Sequence, residues 1–240
     1  MNNLETGNAM LRKFATADEM IRDLADEIFA SLGAGVDARG AASFVASGGT
    51  TPGPLFDALT ERDAPWDRVF VTLSDERWVP PTEDASNEKL IRSRLLRGKA
   101  SAAHFVPMKT DHAHPRDAEV DVSAAISAMP RPFDVTLLGM GDDGHTASMF
   151  PGSDGLDAAF DTHSRLLVRG IHPAKLDGTG ERMSLTLRAI LDSRLVIILI
   201  RGDAKLETYR AALAGDDVHE MPVRAVLKQS VTPVQVYWAP

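Results

Sequence analysis

FDVTLLGMGDDGHTASMF, residues Phe133 to Phe150, joins a short apolar run to a turn rich in glycine. The run contains β-branched residues and ends at a turn, which is typical of a buried strand in a parallel sheet. Gly139, Gly141 and Gly144 then fit the G-x-G-x-x-G spelling of a dinucleotide-binding loop. The stretch predicts an α/β sheet, and it raises the question of what the glycine turn serves.

Similar strand patterns recur along the chain. Three more apolar runs predict buried strands: ASFVAS (Ala42 to Ser47), RVFVTLS (Arg68 to Ser74) and RLVIILIRG (Arg194 to Gly202). VQVYW near the end predicts one more. Helical patterns lie between these runs, and this alternation predicts a parallel sheet with helices on both faces.

The clearest helical pattern runs from Thr16 to Gly33. Its apolar residues Met20, Leu24, Ile28 and Leu32 are spaced like one helix face, and the segment ends on a glycine. Two further helices are predicted, one with Ser86 as its N-cap and one from Asp203.

Composition limits the classes of function. A chain of 240 residues is long enough for one α/β domain, which we assign to residues 1–240. It contains no cysteine, which excludes thiolate nucleophiles and disulfides. The formal charge of −8 argues against nucleic-acid and anionic-membrane partners. No apolar run is long enough to span a bilayer, so we expect a soluble, cytoplasmic protein.

Open α/β sheets bind ligands at the carboxyl ends of their strands, so the residues after each run are the candidates. SGGTTPG, from Ser47, follows the first run. There Gly48 and Gly49 allow backbone N–H groups to point into one concavity, Thr50 and Thr51 add hydroxyls, and a helix is expected to begin near Pro54. A plain turn is the alternative interpretation.

LSDERWVPP follows the second run and places three charged residues directly after a strand. Asp75 can orient or accept a proton, Glu76 can pair internally, and Arg77 has the fork geometry for phosphate or carboxylate. A salt-bridged loop anchored by Trp78 is the alternative.

The glycine turn itself fails the dinucleotide test, because Asp142 and Asp143 would repel a pyrophosphate and no strand follows within residues 151–164. The turn instead places His145 at the mouth of the sheet, and residues 146–148 are expected to start a short helix. A neutral imidazole there can take a proton from water, with Asp142 or Asp143 fixing its tautomer. A structural histidine is the alternative.

IRGDAK follows the fourth run and places Lys205 in the first turn of a helix. The helix dipole disfavours a cation there, so a bound anion would explain the lysine, and a solvated surface residue is the alternative. His112 and His114 lack the accompanying ligands of a zinc site, and we predict no metal site.

Together, SGGTTP, SDERWVPPTEDASN, LLGMGDDGHTASMFPG, RMSLTLRAIL and IRGDAK resemble, in that order, the 6-phosphogluconolactonase family of the glucosamine/galactosamine-6-phosphate isomerase superfamily. The resemblance implies a Rossmann-like three-layer α/β sandwich with a mostly parallel central sheet. It implies hydrolysis of 6-phospho-D-glucono-1,5-lactone to 6-phosphogluconate in the oxidative pentose phosphate pathway, without a cofactor or metal.

Residue by residue, the resemblance makes His145 the general base that activates water and puts Asp75 beside it as a second catalytic residue. Arg77 and Lys205 would bind the phosphate or the developing negative charge. Four loop residues and one arginine would complete the substrate site: Gly48, Gly49, Thr50, Thr51 and Arg182. The partner is a small sugar-phosphate lactone, and we expect a monomer or a small homo-oligomer.

Two other functions remain open. An amino-sugar-phosphate isomerase or deaminase shares this fold, but its chemistry needs a second acid or base near the histidine, where this chain has Met149 and Phe150. A non-catalytic sugar-phosphate-binding domain of a transcription regulator would usually carry an added helix-turn-helix module, for which this chain has no spare basic segment.

Overall fold

The computed structural model describes residues 9–174 and 180–240. Ten strands occur in these ranges: β1 (Ala9–Lys13), β2 (Ala42–Ala46), β3 (Val69–Leu73), β4 (Asp75–Arg77), β5 (His104–Phe105), β6 (Val135–Leu138), β7 (Val168–Ile171), β8 (Arg182–Leu185), β9 (Val196–Arg201) and β10 (Val234–Ala239). Seven of them form one parallel sheet in the order β1-β10-β9-β6-β2-β3-β5, and the other three form an antiparallel sheet in the order β4-β8-β7.

Helices flank the large sheet: α1 (Ala17–Arg39), α2 (Gly53–Thr60), α3 (Asn87–Arg94), α4 (Glu119–Ser127), α5 (Leu156–Phe160), α6 (Leu187–Leu191), α7 (Asp203–Ala214) and α8 (Arg224–Leu227). The first three pack in a row, with α1 also against β2 and β10. Among the others, α6 contacts α5 and α8, α8 contacts α7, α7 packs on β9, and α4 packs on β7. This confirms the predicted α/β sandwich. In the described ranges, no helix is long and apolar enough to cross a membrane.

All five predicted strands are present, and their central residues form the core. Phe44, Val71, Leu137 and Ile198 of four of these strands are fully buried. The predicted face of α1 also lies in the core, because Met20, Leu24, Ile28 and Leu32 are at most 1% exposed. Continuous apolar strands are required here, since helices cover both faces of the sheet.

The predicted end of α1 at Gly33 is wrong, because the helix continues to Arg39. Gly40 ends it with a φ of 79°, and its backbone N–H donates to the Val36 carbonyl. Gly35 and Val36 are buried in the added turns, so packing overrides the helix-breaking preference of Gly33. The residue in the left-handed conformation, which favours glycine, is Gly40, seven residues after Gly33.

The small antiparallel sheet is not predicted from the sequence, although it carries part of the candidate site. Its strands are three and four residues long, too short for a clear alternating pattern. The edge strand β1 is likewise not predicted, and it pairs with β10.

Candidate active site

The carboxyl ends of β2, β3, β6 and β9 surround a cavity of about 430 Å³. The structure brings every predicted site residue to its lining: Gly48, Gly49, Thr50, Thr51, Asp75, Arg77, His145, Arg182 and Lys205. These residues are spread over most of the sequence. The parallel topology of the sheet brings them together at one edge.

The glycine turn after β6 is shaped around His145. A Cβ at Gly141 would lie 2.0 Å from His145 Nδ1, so only glycine leaves room for the imidazole ring. Gly144 has a φ of 76°, and a Cβ there would lie 2.8 Å from Met221. These two glycines therefore let the backbone of the turn lie close to the His145 ring and to the Met221 side chain.

The helix expected at residues 146–148 is absent, and this prediction is wrong. Thr146 and Met149 form an isolated antiparallel bridge, and Ala147 between them has a φ of 48°. The reason lies in the side chains, since Thr146 Oγ1 donates to the Gly139 carbonyl at 2.8 Å and Ser148 Oγ donates to Asp75 at 2.6 Å. Such bonds compete with helical pairing of the backbone.

Asp143 orients the His145 ring. Its Oδ1 lies 2.6 Å from His145 Nδ1 and accepts the His145 backbone N–H at 3.0 Å. The bond from the His145 side chain is the largest cause that lowers the pKa of Asp143 to about 2. An ionised carboxylate only accepts hydrogen bonds, so the proton sits on Nδ1 and leaves Nε2 as the basic nitrogen.

The neighbouring Asp142 has a different partner. Its Oδ1 lies 2.7 Å from Lys205 Nζ, and the Asp142 side chain is 85% exposed. Sequence reasoning left the two adjacent carboxylates as alternatives for the histidine. In the structure Asp143 contacts His145, and Asp142 contacts Lys205.

Asp75 is buried at the end of the same cavity. Its Oδ1 accepts from Ser74 Oγ at 2.9 Å, and its Oδ2 accepts from Ser148 Oγ. The side chain of Asp75 is thus held by two hydroxyls, and the carboxylate retains lone pairs for a further donor.

Glu76 points away from the cavity and holds the start of α3. Its carboxylate accepts the backbone N–H groups of Arg77, Asn87 and Glu88 and the Ser86 hydroxyl. Burial raises the pKa of Glu76, and these hydrogen bonds oppose that rise. The prediction that Glu76 pairs internally is confirmed, with the helix N-terminus rather than a cation as its partner.

Two arginines face each other across the small sheet. In the antiparallel register, Arg77 of β4 lies directly opposite Arg182 of β8. Both residues line the cavity, where planar guanidinium groups can bind an anionic ligand.

The loop from Gly48 to Thr51 forms one wall. A Cβ at Gly48 would lie 2.0 Å from Asn87 Oδ1, and Gly49 has a φ of 91°. Thr50 and Thr51 are exposed at the mouth, and α2 begins at Gly53, one residue before the expected start. Both glycines are therefore required by geometry.

Among the cavity-lining residues that sequence reasoning did not predict, three have polar or aromatic side chains in positions to act on a ligand or on its neighbours. Phe150 packs its ring 4.3 Å from that of His145 and lies 5.4 Å from the Arg182 guanidinium. Asn87 contacts both Arg77 and Asp75, and Arg201 lines the cavity at the end of β9. A signal existed for Asn87, since it directly follows the predicted N-cap Ser86. In the part of the chain that the structure describes, no group of three or more potential metal ligands is found.

Comparison with known proteins places this chain in a family. The family model described as "Glucosamine-6-phosphate isomerases/6-phosphogluconolactonase" matches residues 15–238. A 6-phosphogluconolactonase of Rhizobium meliloti is 39% identical and covers 97% of this chain and 100% of its own length. One from Mesorhizobium japonicum is 40% identical, with 90% of each chain covered.

A solved structure agrees with these sequence matches. The crystal structure of a 6-phosphogluconolactonase from Shewanella baltica has a TM-score of 0.93 and 42% identity, and the match covers 97% of this chain and 98% of that one. On the extent of these matches, the chain belongs to the glucosamine-6-phosphate isomerase/6-phosphogluconolactonase family.

Proposed function

We propose that this chain hydrolyses 6-phospho-D-glucono-1,5-lactone to 6-phosphogluconate, with His145 as the general base that activates water. The observation that carries the proposal is that His145 faces the same cavity as Arg77, Arg182 and Lys205. The choice of this lactone rests on the relatives, which bear the name 6-phosphogluconolactonase.

In the proposed reaction, a water oxygen attacks the lactone carbonyl carbon while Nε2 of His145 takes a proton from that water. Nε2 has the free lone pair because Nδ1 donates to Asp143. The carbonyl electrons move onto oxygen to give a tetrahedral oxyanion. When this collapses, the bond from C1 to the ring oxygen breaks and a proton returns to that oxygen as the C5 hydroxyl. A lactone is an activated ester, so no covalent nucleophile is needed.

We assign the phosphate, or the developing negative charge, to the three cations. The opposed pair Arg77 and Arg182 offers two planar guanidinium groups, and Lys205 offers an ammonium at the rim. Binding a remote dianion supplies orientation at the reacting carbon. This local positive cluster also explains how a chain with a formal charge of −8 attracts an anionic substrate.

We assign Asp75 as the second catalytic residue and residues Gly48 to Thr51 as the remaining substrate wall. The carboxylate of Asp75 is fixed by two hydroxyl donors, so its remaining lone pairs can orient a sugar hydroxyl or accept a proton. The backbone of the glycine loop, together with the threonine hydroxyls, offers donors to the sugar or to the oxyanion.

The deaminase alternative is disfavoured by one contact. The deaminase motif carries a carboxylate soon after its histidine, whereas here Phe150 lies in that region and packs its ring against His145. A non-catalytic binding domain would not need the oriented pair of His145 and Asp143.

We further infer that the chain forms one domain, since the family model spans residues 15–238. We also infer a cytoplasmic enzyme, since a chain without cysteine suits a reducing compartment.

The experiment that tests the proposal is hydrolysis of freshly generated 6-phosphogluconolactone, with spontaneous opening subtracted, run beside glucosamine 6-phosphate deamination. Acceleration of lactone opening alone is the expected result. Deamination without lactone opening, or binding without either reaction, would contradict it.

A further inference from the structure

Arg77 is held in place by neutral oxygen atoms. Its Nη1 donates to the Ala85 carbonyl at 2.7 Å and to Asn87 Oδ1 at 2.8 Å. Several other arginines in the described ranges are held by carboxylates instead, such as Arg94 by Asp57 and Arg169 by Glu119. An amide oxygen orients a guanidinium while leaving its full positive charge available to a ligand.

Asn87 reaches three separate parts of the cavity with one buried side chain. It is 2% exposed. Besides accepting from Arg77, its Nδ2 donates to the Asp75 carbonyl at 2.8 Å, and its Oδ1 occupies the space where a Cβ on Gly48 would lie. Both ends of the amide are thus used, so the side chain has one defined orientation.

The position of Asn87 is fixed in turn by Glu76. The backbone N–H of Asn87 donates to Glu76 Oε1 at 2.7 Å, and Asn87 is the first residue of α3. The negative charge of a carboxylate at a helix N-terminus interacts favourably with the helix dipole. The result is a chain of contacts from a helix start to the guanidinium of Arg77.

We propose that Asn87 is a positioning residue that orients Arg77 toward the phosphate of the substrate. This inference rests on the proposed function, because it takes Arg77 as a phosphate ligand. A neutral amide is required at this position, since a carboxylate would neutralise Arg77 and compete with the phosphate. Asn87 therefore governs affinity for the anion rather than the proton transfer at His145.

The test measures inorganic phosphate binding by calorimetry at one salt concentration, together with kcat and KM for the lactone. We expect Asn87→Ala to weaken phosphate binding and raise KM by about tenfold, the scale of one hydrogen bond to a charged group. In an Arg77→Met background, the same change should alter phosphate binding by less than about twofold. Asn87→Asp should bind phosphate more weakly than Asn87→Ala.

Thr16→Ala is the structural control, because it removes the N-cap of α1, a helix that contributes no residue to the cavity lining. It should lower Tm and leave KM unchanged. An equal effect of Asn87→Ala in both Arg77 backgrounds, or loss of kcat with phosphate binding unchanged, would overturn the proposal. Phosphate binding requires no turnover, so a wild-type protein that fails to open the lactone refutes the proposed function while the binding cycle still decides the role of Asn87.

Discussion

His145 Nδ1 and Asp143 Oδ1 lie 2.6 Å apart, and the same carboxylate oxygen accepts the His145 backbone N–H. One side chain therefore fixes both the tautomer of the imidazole and the turn that carries it. This arrangement leaves Nε2 as the basic nitrogen, and in the proposed mechanism it links the aspartate to the rate of proton transfer.

Replacing Asp143 with Asn should lower kcat by roughly tenfold to a hundredfold with a smaller change in KM, because an amide can present either oxygen or N–H to Nδ1 and no longer selects one tautomer. Tm should change little, since half of the Asp143 side chain is exposed. Steady-state kinetics on the lactone check this. Asp142→Asn is the matched control with the same change in charge, and an equal loss of kcat in both variants would contradict the assignment.

Asp142→Asn should act on binding. The substitution frees Lys205 from its ion pair, so KM should fall, by less than about fivefold because an exposed pair contributes under about 1 kcal/mol. The difference from wild type should shrink as salt is raised, since salt screens exposed charges. Kinetics at low and high ionic strength measure both effects. An increased KM would show that Asp142 helps the substrate instead of competing with it.

Gly141→Ala should remove activity while leaving the fold intact. The added Cβ would lie 2.0 Å from His145 Nδ1 and 2.7 Å from Asp143 Oδ1, so the ring must leave its position. We expect a fall in kcat of roughly a hundredfold, the scale of a misplaced general base. Kinetics and circular dichroism check the two parts. Wild-type turnover in this variant would mean that the glycine serves another purpose.

Two glycines of α1 should respond oppositely to alanine. Nothing lies within 4 Å of a Cβ at Gly33, so Gly33→Ala should stabilise the protein by up to about 1 kcal/mol through helix propensity. A Cβ at Gly35 would lie 2.5 Å from Oδ1 of the buried Asp134, so Gly35→Ala should destabilise by about 1–3 kcal/mol. Denaturant unfolding measures both. Destabilisation by Gly33→Ala would contradict the continuous helix.

The fold could be predicted where a pattern was long and one-sided. The apolar strands of the central sheet and the buried face of α1 are such patterns, because a parallel sheet covered on both faces requires them. The end of α1 could not be predicted, since Gly33 and Gly40 look alike in sequence and differ in what surrounds them. Short strands such as β8 gave no period to detect.

The candidate site was predictable because strand ends converge on one edge of the sheet. What could not be predicted were contacts between distant segments, such as Phe150 with Arg182 or Ser148 with Asp75. The turn after His145 was mistaken for a helix start because hydrogen bonds from Thr146 to Gly139 and from Ser148 to Ser184 of β8 decide its shape. Those partners lie 7 and 36 residues away in sequence.

The central claim is that His145 is the base in lactone opening, and the direct measurement compares wild type with His145→Ala on freshly generated 6-phosphogluconolactone across about pH 5 to 8. We predict a loss of about a hundredfold or more in kcat without a change in Tm. Because the pKa of Asp143 is about 2, below its ordinary value, that carboxylate stays ionised throughout this range and remains a hydrogen-bond acceptor for the ring. Near-wild-type turnover in His145→Ala would contradict the account.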